Sequence, residues 1–213
     1  MILVFRNLVW VVSLVTSALL LASPAAAITI GFGCLTGNLA GDCTIGEAQL
    51  SVDAIDIGGG QASFTFNNSG PADSSITEIY FDDGALLGIA SVIDGPGVDF
   101  EQGANPPNLP GAELASPPFE VTAGFLAESQ PPPAQRGVGA GEFVTIIFDL
   151  IGGGDFSDIL IELANGDLRI GIRVGAFQSG GSESFINIPV PEPSTALLIG
   201  GGLVGLALRR RAA

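Results

Sequence analysis

The stretches ASFTF at residues 62–66 and LRIGIRV at residues 168–174 alternate apolar with other side chains. A period of two residues is typical of β-strands that bury one face. Similar short runs recur along the chain, separated by clusters of Gly, Pro, Asn, Asp and Ser: residues 49–57, 61–66, 76–81, 86–93, 119–125, 143–151 and 168–177. Short strands spaced in this way predict an all-β domain, an antiparallel two-sheet β-sandwich or jelly roll.

Three segments depart from the strand pattern. Residues 157–164 (SDILIELA) follow cap-type residues and end at Asn165-Gly166, which predicts one short helix with a left-handed terminator. Residues 103–118 and 128–141 are rich in proline, which cannot donate to a strand ladder. We predict that both are long surface loops, serving as spacers or flexible flaps.

The charge of the chain limits its partners. The formal net charge is −15, and residues 28–190 hold three arginines against 21 acidic residues, a formal charge of −18. Such a surface repels nucleic acid and anionic lipid, and it has no basic patch that could displace counterions from phosphate. We therefore predict no nucleic-acid partner, whereas divalent cations are the natural counter-charge.

The residue types that are absent narrow the chemistry further. The sequence contains no histidine and no lysine, so Ser-His and Cys-His pairs and lysine Schiff bases cannot form. Carboxylates remain, and a glycosidase needs two of them, roughly 5–9.5 Å apart across a sugar. The only tryptophan, Trp10, lies in the N-terminal segment, and Tyr80 is the only tyrosine, so aromatic platforms for sugars are scarce. We predict that the protein is not an enzyme.

Aspartates in flexible, glycine-containing segments are the candidate metal ligands. Calcium prefers oxygen ligands, which such turns supply from side chain and backbone together. The candidates are Asp82 and Asp83, and Asp155 and Asp158. The competing interpretation of Asp82 and Asp83 is a hairpin turn with solvated charges. For Asp155 and Asp158 it is helix capping with a favourable placement in the helix dipole.

Two cysteines, Cys34 and Cys43, lie close together in sequence. In an exported protein an isolated close pair predicts a disulfide that closes a small loop. The alternative is a pair of free thiols. A metal site is disfavoured because no histidine is available to complete a tetrahedral set.

Residues 1–27 have the three parts of an export signal. Arg6 supplies a positive charge, residues 8–22 form an uncharged apolar core, and Ala25-Ala26-Ala27 provides the small residues that signal peptidase requires. We predict cleavage after Ala27. The alternative is an N-terminal helix that remains uncleaved as a membrane anchor.

The last 24 residues have three parts of their own. Pro191-Glu192-Pro193 is a stiff extended tripeptide, residues 195–208 are apolar, and Arg209, Arg210 and Arg211 follow. A helix of 14 residues spans about 21 Å, short of the roughly 30 Å hydrocarbon core. By the positive-inside rule the arginines hold this end in the cytoplasm.

These three parts, in this order and spacing, resemble the PEP-CTERM sorting signal. The resemblance implies recognition by an exosortase, a membrane-bound processing enzyme, in bacteria that make exopolysaccharide. It implies a transient tether to the inner membrane through the short helix, then release to or attachment at the cell surface. An ordinary single-pass tail anchor is the alternative.

The sequence therefore predicts a signal peptide at 1–27, a β-sandwich ectodomain at 28–189 and a sorting signal at 190–213. Our first hypothesis is a non-catalytic structural or matrix-interacting surface protein linked to exopolysaccharide. The second is a carbohydrate-binding module, with calcium as a candidate cofactor. The third is a secreted hydrolase that uses paired carboxylates.

Overall fold

A single antiparallel sheet forms the body of the protein in the computed structural model, which describes residues 26–83, 86–122 and 125–189. Among these residues the strands are β1 Ala27–Cys34, β2 Leu50–Gly58, β3 Gln61–Asn68, β4 Ser75–Asp82, β5 Leu87–Asp94, β6 Phe100–Gln102, β7 Leu126–Ser129, β8 Phe143–Leu150, β9 Arg169–Gly175 and β10 Glu183–Asn187. The helices are α1 Ala40–Gln49, α2 Pro133–Arg136 and α3 Phe156–Asn165. The predicted signal helix and sorting helix lie outside the described residues.

Strand β1 belongs to two halves of this sheet, whose order is β5-β8-β3-β2-β1-β10-β9-β4-β7-β6. Residues 27–31 of β1 pair with β2, and residues 32–34 pair with β10. We call β5, β8, β3, β2 and the start of β1 the β3 half. The end of β1 with β10, β9, β4, β7 and β6 is the β4 half.

The two halves face each other across a core of phenylalanine rings. Phe81 of β4 lies with its ring centroid 4.8 Å from that of Phe148 on β8 and 5.6 Å from that of Phe64 on β3, in edge-to-face geometry. All three side chains are fully buried. The prediction of a mostly β, antiparallel fold is confirmed, although the protein has one curled sheet in place of two separate ones.

The predicted helix is confirmed together with its caps. Asp155 caps α3 by accepting from the Ser157 N–H at 2.7 Å, and Gly166 ends the helix with a left-handed φ of 84°. Phe156, Ile159 and Leu163 face the core. Within the described residues, the helices are too short or too polar to span a membrane.

The predicted strand at 119–125 is wrong. Residues 119–122 are irregular, and β7 begins only at Leu126. Phe119, after two prolines, is buried against Tyr80 and Leu109, which lie in a second apolar cluster on the outer side of the β4 half. The apolar side chains at 119–121 therefore cover a sheet face instead of forming a ladder.

The same cluster explains the proline-rich segment at 103–118. This segment is irregular, as predicted, with one 3-10 turn at Ala112–Leu114. Leu109 and Ala112 are buried, so the segment is a packed cover over the outer face of the β4 half. The other proline-rich segment, 128–141, contains the end of β7 and the short helix α2.

Candidate functional site

The described residues that adjoin the two predicted processing regions belong to neighbouring strands. Ala27 is the first residue of β1 and pairs with Ile55, whereas Ala25 lies outside the described residues. Ile188 follows β10 and donates its N–H to the Gly31 carbonyl at 2.9 Å. Pro191, Glu192, Pro193 and Arg209–Arg211 lie outside the described residues. The sorting segment therefore leaves the domain beside the first strand.

The predicted disulfide is present and ties the end of β1 to α1. Cys34 and Cys43 are bonded, with their Cα atoms 5.3 Å apart. Helix α1 was not predicted, because it is short, contains two glycines and lacks the apolar periodicity of a helix. Gly46 of α1 is necessary for packing, since a Cβ at this position would lie 2.2 Å from the Phe185 ring.

Sequence reasoning missed Glu183, which holds the segment before α1. Its side chain is 1% exposed and accepts from the N–H groups of Leu39 at 2.6 Å and Asn38 at 2.9 Å. An acidic residue between two serines carries no signal for such burial. Together with Cys34 and Cys43 it makes up the cluster of three potential ligands found within the described residues, but the two sulfurs are bonded to each other.

Asp82 and Asp83 are buried rather than solvated, so the competing interpretation of a solvated hairpin turn is wrong. Strand β4 pairs with β7 and β9, so these residues end a strand instead of turning a hairpin. Asp82 forms an ion pair with Arg169. Asp83 is 1% exposed and accepts from the Leu87 N–H at 2.6 Å. Both carboxylates therefore serve local structure.

Asp155 and Asp158 form a capping box at the start of α3. The Asp158 side chain accepts from the Asp155 N–H at 2.8 Å. The Asp155 side chain in turn caps the N-terminus of the helix, so the two residues cap it together. The Ser157 hydroxyl and N–H groups donate to Asp155 and hold its pKa below the ordinary value. The capping interpretation is therefore confirmed.

A different candidate surface lies on the outer side of the β3 half. It carries short polar side chains that bond to one another across neighbouring strands, and exposed apolar side chains, Phe143 and Ile93 among them, share the same face. The Thr65 and Thr145 hydroxyls are 2.9 Å apart, and the Gln61 amide donates to Asp149 at 2.7 Å. We call this the open face, lined by Thr29, Asp53, Gln61, Thr65, Asn67, Thr145 and Asp149.

The two aspartates of the open face already have donors from its neutral side chains. Asp53 accepts from the Thr29 hydroxyl at 2.5 Å and from the Asn67 amide at 2.9 Å. Such bonds fix the side chains in position before any partner arrives. The opposite outer face, on the β4 half, is covered by residues 103–119, so the open face is the exposed one of the pair.

Two buried carboxyls set a pH dependence of stability. Burial raises the pKa of Asp83. Burial also raises the pKa of Glu78, and this effect outweighs the lowering caused by the hydrogen bond from Tyr80. The folded protein therefore binds these protons more tightly than the unfolded chain does. Their stabilising contribution is complete below the ordinary pKa values of 3.8 and 4.5 and is lost as pH rises through the raised values.

We expect a higher urea unfolding midpoint near pH 5 than near pH 8, where repulsion among the acidic residues adds to the effect. Asp83→Asn should reduce this difference because it removes one of the carboxyls whose pKa burial raises. Asp73→Asn, at an exposed aspartate, is the matched control and should retain the full difference. A higher midpoint near pH 8 would contradict the assignment.

Comparison with known proteins identifies the C-terminal segment. Residues 189–211 match the family model of the PEP-CTERM protein-sorting motif, which confirms the resemblance noted in the sequence. No curated protein and no solved structure matches the chain. The motif implies a secreted protein that is sorted at the cell envelope. The chain therefore carries a PEP-CTERM protein-sorting motif at residues 189–211, consistent with a substrate of an exosortase.

Proposed function

We propose that an exosortase delivers this protein to the cell surface, where it binds exopolysaccharide without catalysing a reaction. The observation that carries the binding role is the open face of the β3 half. Its polar side chains are already hydrogen-bonded to one another, while the equivalent face of the β4 half is covered. A rigid polar sheet face is suited to binding a long, extended ligand at low entropic cost.

The chemistry of the open face favours an uncharged, hydroxyl-rich chain. Amide and hydroxyl groups of Gln61, Asn67 and Thr145 can exchange hydrogen bonds with sugar hydroxyls. The formal charge of −18 on residues 28–190 opposes an anionic polymer. Gln61 and Asn67 lie six residues apart on β3, about 20 Å, so one extended chain can touch both.

The sorting segment supports delivery to the same place. Arg209–Arg211 would hold the end of the chain in the cytoplasm while the short apolar run tethers the folded domain to the inner membrane. Cleavage near Pro191-Glu192-Pro193 would then free the domain from that tether. The exopolysaccharide would be encountered only after this step.

Binding to the cell's own neutral exopolysaccharide tests the proposal. The double variant Gln61→Ala/Asn67→Ala should weaken binding about tenfold or more, because it removes two amides from the open face. The matched control, Gln102→Ala/Gln178→Ala, removes two exposed amides elsewhere and should bind as the parent does. Binding should change little between low and high salt, since the contacts are uncharged.

Equal weakening by both double variants, or no binding by the parent protein, would overturn the assignment of the open face. The same measurement in EDTA distinguishes a direct contact from a calcium-assisted one. A direct contact persists in the chelator, whereas a calcium-assisted contact is lost.

A further inference from the structure

Strand β5 is the outermost strand of the β3 half, and one side of it has no strand partner among the described residues. Its pairing is with β8, over residues 87–94. In β8, Leu150 donates its N–H to the Gly60 carbonyl at 2.8 Å, and Glu142, just before the strand, accepts from Asn68 at 3.2 Å. Even-numbered residues of β8 therefore direct their backbone groups to β3, and odd-numbered residues direct theirs to β5.

The same alternation identifies the outward backbone groups of β5. Ser91 lies opposite Ile147 of β8. Since Ile147 is odd-numbered, Ser91 directs its backbone groups to β8, and its neighbours Ala90 and Val92 direct theirs away from the sheet. Across the described chain, the backbone hydrogen bonds made outside the strand ladders do not involve these outward groups.

The burial of the strand indicates that this side is open. The side chains of Ala90 and Val92 pack against the core but are only half-buried. Their partners on β8, Phe148 and Ile146, are fully buried. A segment lying along the outer side of β5 would bury Ala90 and Val92 just as completely. We call the outward backbone groups of residues 90 and 92 the free edge.

The free edge is uncharged in a strongly acidic chain. Residues 84–93 contain no acidic residue, no basic residue and no proline, although residues 28–190 carry a formal charge of −18. Exposed edge strands are commonly protected by charges, prolines or bulges. The register shift in β5 lies before Ala90, so residues 90–94 pair regularly with β8. The free edge therefore lacks the features that keep a second strand away.

We propose that a second copy of this chain pairs with the free edge, antiparallel, about a two-fold axis at Ser91. Ala90 of one copy and Val92 of the other then exchange two backbone hydrogen bonds, and the symmetry repeats the exchange. The two Ser91 residues face each other at a narrow, non-hydrogen-bonded pair, where short side chains fit. Each half-buried Val92 side chain gains a neighbour in Ala90 of the other copy.

Symmetry and charge favour a second copy as the occupant. Two identical edges related by a two-fold axis present matching donors and acceptors, so the surface is complementary to itself. Asp94, which accepts from the Phe100 N–H at 2.9 Å, is the charged residue of the strand. Antiparallel pairing sets the two Asp94 residues six strand positions apart, about 20 Å, which exceeds the Debye length. An identical uncharged strand therefore meets no opposing charge.

Pairing at the free edge joins the β3 halves of two copies into one continuous sheet. A two-fold axis perpendicular to the sheet sets both open faces on the same side of it. One extended polysaccharide can then contact two copies, and its binding gains from the linkage of the two sites. The association itself needs only the backbone of β5, so it does not depend on the proposed polysaccharide binding.

Disulfide trapping in the full chain, exported by its own cells, tests the pairing. Ser91→Cys sets two cysteines across the axis with Cα atoms about 4.5 Å apart, within the range of a disulfide. The matched control is Ile93→Cys, which is exposed on the same strand and the same face and whose two copies would lie about 13 Å apart. We expect a disulfide-linked dimer of Ser91→Cys at about ten times the yield of Ile93→Cys on a non-reducing gel.

Equal yields for the two variants would indicate random collision and overturn the proposal. A higher yield for Ile93→Cys would overturn the register, and a bridge to a different protein would overturn the choice of partner. Both variants must retain the Cys34–Cys43 disulfide and the parent's urea midpoint, which shows that the domain is folded. Ser91 is exposed, so its replacement leaves the core unchanged.

An added charge at the axis provides a second test without cysteines. Ser91→Glu should weaken the dimer at least about fivefold, because it sets two carboxylates opposite each other. Gln178→Glu adds the same charge at an exposed position between β9 and β10 and should associate as the parent does. Sedimentation velocity of the processed protein at up to about 100 μM, without polysaccharide, measures the association. A monomeric parent, or equal weakening by both variants, would overturn the proposal.

Discussion

Replacing Phe81 with alanine is expected to lower the free energy of unfolding by about 3–5 kcal/mol, as truncation of a buried aromatic side chain commonly does. Phe81 is fully buried and its ring contacts four others: Phe64, Phe66, Phe125 and Phe148. Because Phe81 belongs to the β4 half and Phe64 and Phe148 to the β3 half, its loss leaves a cavity between the two halves of the sheet.

Urea unfolding of purified protein measures the effect. Phe143→Ala is the matched control, since this phenylalanine is 40% exposed on β8. It should cost less than about 1 kcal/mol. Similar losses for the two variants would show that the ring cluster does not dominate the contact between the halves.

Replacing Arg169 with methionine is expected to destabilise the protein by about 3 kcal/mol and to release residues 103–118. The Arg169 guanidinium pairs with Asp82 and donates to the carbonyls of Pro117 at 2.6 Å and Pro118 at 2.7 Å. It also lies 5.5 Å from the centroid of the Phe119 ring. Methionine retains the apolar stem but leaves the Asp82 carboxylate without its counter-charge.

Limited proteolysis and urea unfolding together check this prediction. Cleavage within residues 103–118 should become faster in Arg169→Met, because the segment loses the contacts that hold it on the sheet. Arg136→Met is the control, since its ion pair with Asp99 is exposed on both sides and should contribute under about 1 kcal/mol. Unchanged proteolysis in Arg169→Met would show that the apolar cluster alone holds the cover.

The contrast between the two outer faces bears on function. The face of the β4 half is sealed by residues 103–119, which bury Tyr80 and are held by Arg169. The open face of the β3 half has no such cover among the described residues, and its polar side chains bond to one another. A protein that lost the cover would expose the apolar cluster of Tyr80, Leu109 and Phe119.

Several features were predictable because their causes lie within a few residues. Alternation in β3 and β9 follows from a period of two, and α3 is set by Asp155 in front and Gly166 behind. The Cys34–Cys43 disulfide joins residues nine positions apart. The sorting motif at 189–211 is a linear pattern, so its recognition required no fold.

Other features were decided only by contacts between distant parts of the chain. Asp82 contacts Arg169, 87 residues away in the sequence, and Glu183 contacts Leu39, 144 residues away. The burial of these two carboxylates therefore could not be predicted from the neighbouring sequence. The helix α1 depends in the same way on the Phe185 ring that packs against Gly46. The sequence by itself determined the disulfide, the sorting motif, the α3 helix and six of the described strands, namely β2, β3, β4, β5, β8 and β9. Only the tertiary structure decided that β1 joins two halves of one sheet, which face is covered and which acids are buried, because these depend on partners brought together by folding.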